Sequence, residues 1–126
     1  VSENRKNISS GGAFEAVFGY SRAVRVGNHL HISGTCAPPV NEYDDAYIQT
    51  QAILKTISQV VEQAGMQLND VVRTVVYVRD MNDANRVAQA HKEVFDLIRP
   101  ASTIVQVDSM LRTWQRVEIE AYAIST

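Results

Sequence analysis

The stretch Val71-Val72-Arg73-Thr74-Val75-Val76-Tyr77-Val78 limits what this chain can fold into more than any other segment. β-branched side chains fill most of it, and such side chains pack well on a pleated surface while losing rotamer freedom in a helix. Apolar groups fall on both faces of the run, which marks a strand in the interior of a sheet rather than a half-wet edge. The fold must therefore cover that strand from two sides.

The flanking segments supply one cover. Before the run, Ile48, Ala52, Ile53, Ile57, Val60, Val61 and Ala64 recur at helical spacing behind the capping candidates Asp44 and Asp45, and Gly65 suits a left-handed helix end. After it, Ala84, Val87, Ala88, His91, Val94, Phe95 and Ile98 form a second apolar stripe that Pro100 terminates. Nearer the start, Val24 and Val26 alternate with polar neighbours, Gly27-Asn28 interrupts, and Leu30 and Ile32 resume the alternation, which is a β-hairpin pattern. Thr103 to Val107 and the alternating Val117, Ile119, Ala121 and Ala123 predict two closing strands. The predicted order is ββαβαββ, an α+β mixed sheet. Right-handed crossovers put both helices on one face. The other face lacks a cover within the chain, and self-association is the economical way to provide one.

At 126 residues the chain fits a single domain, predicted to span 13–126 behind a polar, flexible lead-in of residues 1–12. A net charge of -2 with both signs interspersed leaves no basic stripe for a phosphate backbone, so no nucleic-acid partner is expected. No segment approaches the roughly 20 apolar residues of a membrane span, and none has signal-peptide character. With Cys36 as the one cysteine, an intrachain disulfide is impossible, and a cytoplasmic location is expected.

Four motifs in succession carry a family resemblance. Gly19-Tyr20-Ser21-Arg22-Ala23-Val24 resembles a PYSQAV segment, and Val26-Gly27 through Ile32-Ser33-Gly34 resembles a V-x-x-G…F-x-S-G-Q hairpin. Asp70 to Asp83 is similar to DVVKTTVFLKDMNDF, and Val117-Glu118-Ile119-Glu120-Ala121 matches a terminal VEIEA. Together they resemble the Rid (YjgF/YER057c/UK114) family over about Tyr20 to Ala123. That resemblance implies a chorismate-mutase-like fold and a homotrimer whose sheets form a central barrel with ligand clefts between subunits. It also implies hydrolysis of reactive imines and enamines without metal or cofactor.

One departure shapes the functional expectation. The family's P-A-R-S-C-V segment supplies an arginine that clamps a substrate carboxylate; here it reads Pro100-Ala101-Ser102-Thr103-Ile104-Val105, with Ser102 at the arginine position. Exchanging a bidentate ionic contact for a neutral hydrogen bond forfeits about 1–3 kcal/mol. The expected substrate is thus a small imine, enamine or related metabolite without an α-carboxylate, and 2-iminobutanoate-type deamination is not expected. The resemblance assigns Glu118 to positioning the attacking water, with the Ile104 carbonyl as the second water contact. Tyr20, Ser33, Gly34 and Thr35 line the cleft with Ser102. Arg25, Arg79 and Arg112 are the candidates for a replacement clamp.

Each assignment has a plainer rival. Glu118 and Glu120 suit a solvated strand edge, Tyr20 suits an interface, and Cys36, with no lysine or histidine close in sequence, suits small-residue packing. His29 and His31 share a strand face without a third ligand at recognisable spacing, so no metal site is predicted. His91 reads as a core histidine. The competing functional class is a non-catalytic trimeric module that binds a metabolite; a third, endoribonuclease activity, conflicts with the charge balance.

Overall fold

The computed structural model describes residues 4–126. Its strands are β1 (Arg5–Ile8), β2 (Ala23–Val26), β3 (His29–Thr35), β4 (Val71–Val78), β5 (Ala101–Gln106) and β6 (Val117–Ile124), and its helices are α1 (Ala13–Phe18), α2 (Ala46–Gln63) and α3 (Ala84–Phe95). The strands make one sheet in the order β1-β2-β3-β6-β4-β5. β4 and β5 run parallel around α3, and every other pair is antiparallel. This is the mixed α+β architecture that the sequence predicts, with two additions.

Both additions lie at the N-terminal end. Residues 5–8, assigned from sequence to the lead-in, form β1 and pair with β2 from Arg5↔Val26 to Ile8↔Ala23. Residues 4–12 are thus not an appendage, while residues 1–3 lie outside the described part of the chain. An edge strand whose first three residues are exposed and polar shows no alternation to read, which is why β1 escapes the pattern. The short α1 escapes it because six residues cannot display a helical stripe. Gly19 ends α1 in the left-handed region, at φ 84°, where a side chain would be strained.

α2 and α3 pack against each other, and α2 lies on β3 and β6. The core between helices and sheet holds Leu30, Ile32, Ile53, Ile57, Val61, Val78, Val87, Phe95 and Ile119. Asp45 caps α2 through its carboxylate, which accepts from the Ile48 amide at 2.9 Å. The Val71 to Val78 strand has one face fully packed: Thr74, Val76 and Val78 are buried, whereas Arg73, Val75 and Tyr77 on the opposite face are only half-covered. Every residue of β5 is exposed, including Ile104 and Val105. The missing second cover anticipated from sequence is a feature of the chain taken alone. Among the described residues no helix is long and apolar enough to cross a membrane.

Candidate functional site

A register slip builds the site. β3 pairs with β6 as Ile32↔Ala121 and then Thr35↔Ile119, so β3 spends an extra residue at Ser33-Gly34. Such a bulge bends the strand and re-aims its side chains. It sets Gly34 directly beneath the Glu118 carboxylate, so close that a Cβ on Gly34 would lie 2.2 Å from Glu118 Oε2. Only a residue without a side chain permits that approach. Ser33 holds the bulge by donating from Oγ to the Ser21 carbonyl at 2.7 Å.

Glu118 and Gly34 line two neighbouring cavities, of about 630 Å³ and 270 Å³. The larger is lined on one side by Phe14, Phe18 and Tyr20, whose rings meet edge-on or stacked at centroid separations of 5.8 to 6.4 Å. On its floor the Cys36 thiol donates to Glu118 Oε1 at 3.3 Å. Burial and the facing Glu118 charge push the Cys36 thiol well above its ordinary range, with Arg22 opposing only in part. Cys36 is therefore a protonated hydrogen-bond donor rather than a nucleophile.

Arg22 is the group that sequence reasoning missed. It is 8% exposed and lines the larger cavity. Its Nη1 donates to the Gly34 carbonyl at 2.7 Å and to Thr35 Oγ1 at 3.0 Å, and its Nη2 donates to the Tyr20 hydroxyl at 2.7 Å. The available signal was the PYSQAV segment, which has glutamine where this chain has Arg22. Of the three arginines named from sequence, only Arg112 reaches this cavity, as an exposed residue. Arg25 is spent on the Gly27 and Ala64 carbonyls, and Arg79 on the Thr113 carbonyl.

The structure brings Tyr20, Ser33, Gly34, Thr35 and Glu118 together and leaves Ser102 and Ile104 apart from them. Ser102 pairs with Thr74 and Ile104 with Val76, on the helix-covered side of the sheet; Glu118 pairs with Tyr77, whose side chain projects from the other side. Ser102 Oγ is hydrogen-bonded to Thr74 Oγ1 at 2.7 Å, and Thr74 Oγ1 to His91 Nε2 at 2.9 Å. His91 borders a third cavity, of about 360 Å³, and burial lowers its pKa from the ordinary 6.5. His91 is thus engaged through a hydroxyl relay as well as packed, at 4.7 Å between ring centroids, against Phe95.

Comparison with known proteins identifies the fold and the family. The sequence pattern of the Endoribonuclease L-PSP family matches residues 11–125. A Mycobacterium tuberculosis member of the YjgF/YER057c/UK114 family superposes with a TM-score of 0.90 at 40% identity, covering 96% of this chain and 99% of its own. The chain belongs to that family, also called Rid. The YjgF gene product of E. coli, another Rid structure, superposes with a TM-score of 0.82 at 30% identity over 96% of this chain and 99% of its own. The 2-iminobutanoate/2-iminopropanoate deaminase of Mus musculus is 36% identical over 95% of this chain and 91% of that protein.

Proposed function

We propose that the Glu118 cleft binds a small imine or enamine and hydrolyses it to a carbonyl compound and an amine or ammonia. The observation that carries this reading is Glu118 itself, seated on Gly34 and contacted by the Cys36 thiol in the wall between two cavities. A carboxylate at that point takes a proton from water as the oxygen adds to the C=N carbon. Glu118 returns that proton to the imine nitrogen as the tetrahedral carbinolamine forms, then carries the carbinolamine's hydroxyl proton to the nitrogen as the C–N bond breaks, releasing the carbonyl compound and the amine. No electrons are exchanged, and one water is consumed. The aromatic wall of Phe14, Phe18 and Tyr20 receives the apolar part of the substrate.

The active form in this reading is a homotrimer. Ser102 and Ile104 lie across the sheet from Glu118 within one chain. A cleft that holds both sets of residues needs a second copy, and the fully exposed β5 is the surface available to it. Ser102 carries no charge on that side, so a substrate without an α-carboxylate suits that wall.

Ammonia release from a panel of small imines and enamines tests the proposal. Wild type is expected to exceed Glu118→Ala by at least about a hundredfold, the usual contribution of a positioned acid–base group. Equal rates would remove Glu118 from catalysis. One observation favours a non-catalytic binding module instead: the Ser102 hydroxyl is engaged with Thr74. Saturable binding without turnover would establish that second reading.

A further inference from the structure

Arg22 is a buried cation without an anionic partner. The ion pairs among the described residues are Arg86–Asp45, Arg99–Asp96 and Arg116–Asp83, and Arg22 belongs to none of them. Its recorded partners are a carbonyl, two hydroxyls and the Tyr20 ring, whose centroid lies 5.2 Å from the guanidinium carbon, all neutral. Glu118 lies on the same wall, beyond ion-pair distance, with its carboxylate engaged by Cys36. A guanidinium withdrawn from water is costly unless an opposite charge or a full set of hydrogen bonds answers it. A guanidinium carries five N–H donors, and the three recorded bonds leave the remaining donors to meet a ligand. A cavity of about 630 Å³ opens onto it, large enough for a small metabolite.

We infer that Arg22 is the anion-recognition residue of the cleft, holding the carboxylate of a small keto or imino acid against the same wall that carries Glu118. The inference rests on the reading of the Glu118 cleft as the ligand site. It widens the substrate class anticipated from Ser102, because the positive charge is supplied by the chain's own wall instead of by strand β5. Arg22 also fixes the pocket's shape: it ties the Gly34 carbonyl, Thr35 and Tyr20 into one frame, so ligand charge and catalytic geometry depend on one side chain. Arg112, exposed at the rim of the same cavity, adds to the positive field without being held in place.

The probes are 2-oxobutanoate and its uncharged methyl ester, titrated against the full-length protein by ligand-observed NMR, with melting temperature recorded for each variant. Wild type is expected to bind the acid at least about tenfold more tightly than the ester, an ordinary value for one charge-assisted contact. Arg22→Gln is expected to lose that preference, and Arg22→Lys to keep part of it. Lysine retains the charge but not the forked geometry, so this variant keeps the test valid if the glutamine form melts early. Equal binding of acid and ester by wild type, no binding of the acid, or a preference that survives in Arg22→Gln would each overturn the inference. Failure of the underlying site reading has a different signature: ammonia release that Glu118→Ala leaves unchanged.

Discussion

Two regions of the sheet, the Glu118 wall and the Ser102 edge, handle charge in opposite ways. At the wall, a carboxylate and a guanidinium are held a few side chains apart by a strand bulge, with a thiol kept protonated against the carboxylate. At the edge, Ser102, Thr74 and His91 form a chain of neutral groups, and burial disfavours the charged form of the histidine. In this chain the buried guanidinium therefore belongs to the wall and the uncharged hydroxyls to the edge. The comparison teaches that two regions of one sheet can differ in charge because a bulge withdraws an arginine into one of them, while hydroxyls and a buried imidazole satisfy each other in the other.

The most direct way to break the wall is Gly34→Ala. The new methyl would meet the end of the Glu118 side chain, which is able to swing aside. Activity is expected to fall at least about a hundredfold, as for removal of the acid–base group. The unfolding midpoint should move little, because the clash is with a mobile carboxylate rather than with backbone. A glycine-to-alanine variant that keeps full activity would show that the carboxylate's seat on the bulge is dispensable.

Thr74→Val tests the edge with a smaller effect. The substitution preserves shape but removes the hydroxyl that both Ser102 and His91 contact. With Thr74 at 0% exposure and its imidazole partner left unsatisfied, the loss should be about 1–3 kcal/mol by urea denaturation. Turnover should fall far less than at the wall, since Ser102 loses a hydrogen-bond partner without any change of charge. A large loss of turnover with intact stability would instead tie the relay to the chemistry.

The smallest effect is in the pH dependence of stability. His91 has a folded-state pKa below its ordinary 6.5, so the unfolded chain binds more protons as pH falls through that value. Stability is then full above about pH 6.5 and declines on acidification toward the lower folded-state pKa. His91→Gln is expected to shallow the slope of melting temperature against pH on the acid side of pH 6.5. An unchanged slope would assign the acid sensitivity to other groups.

Much of the fold was legible because its segments are strongly periodic. The β-branched run at Val71 to Val78 and the stripe of α2 leave little choice of secondary structure, and Gly27-Asn28 marks the hairpin. β1 and α1 were not legible, since neither is long enough to display a period. Gln49 shows the limit for the core. Fully buried on a helix, it donates to the Asn41, Asp44 and Trp114 carbonyls and accepts from the Arg116 amide, so a polar residue pins two loops to α2. Of the candidate site, motif resemblance picked out Tyr20, Ser33, Gly34, Thr35 and Glu118, which the structure brings together. Arg22 was not legible, because an arginine on a short strand approach reads as solvent-facing until β3 is folded beside it.

Local sequence alone settled the longer strands and helices, that one sheet face lacks a cover within the chain, and that the Rid motifs run in order along it. Propensity and periodicity act over a few residues, and those features need nothing more. Tertiary structure decided the rest. Cys36 and Glu118 are 82 positions apart and meet only because β3 slips register against β6. The same slip turns the Gly34 carbonyl toward Arg22. Which side of a sheet a side chain occupies depends on pairing between distant strands, so the position of the cleft's positive charge becomes readable only once those strands are side by side.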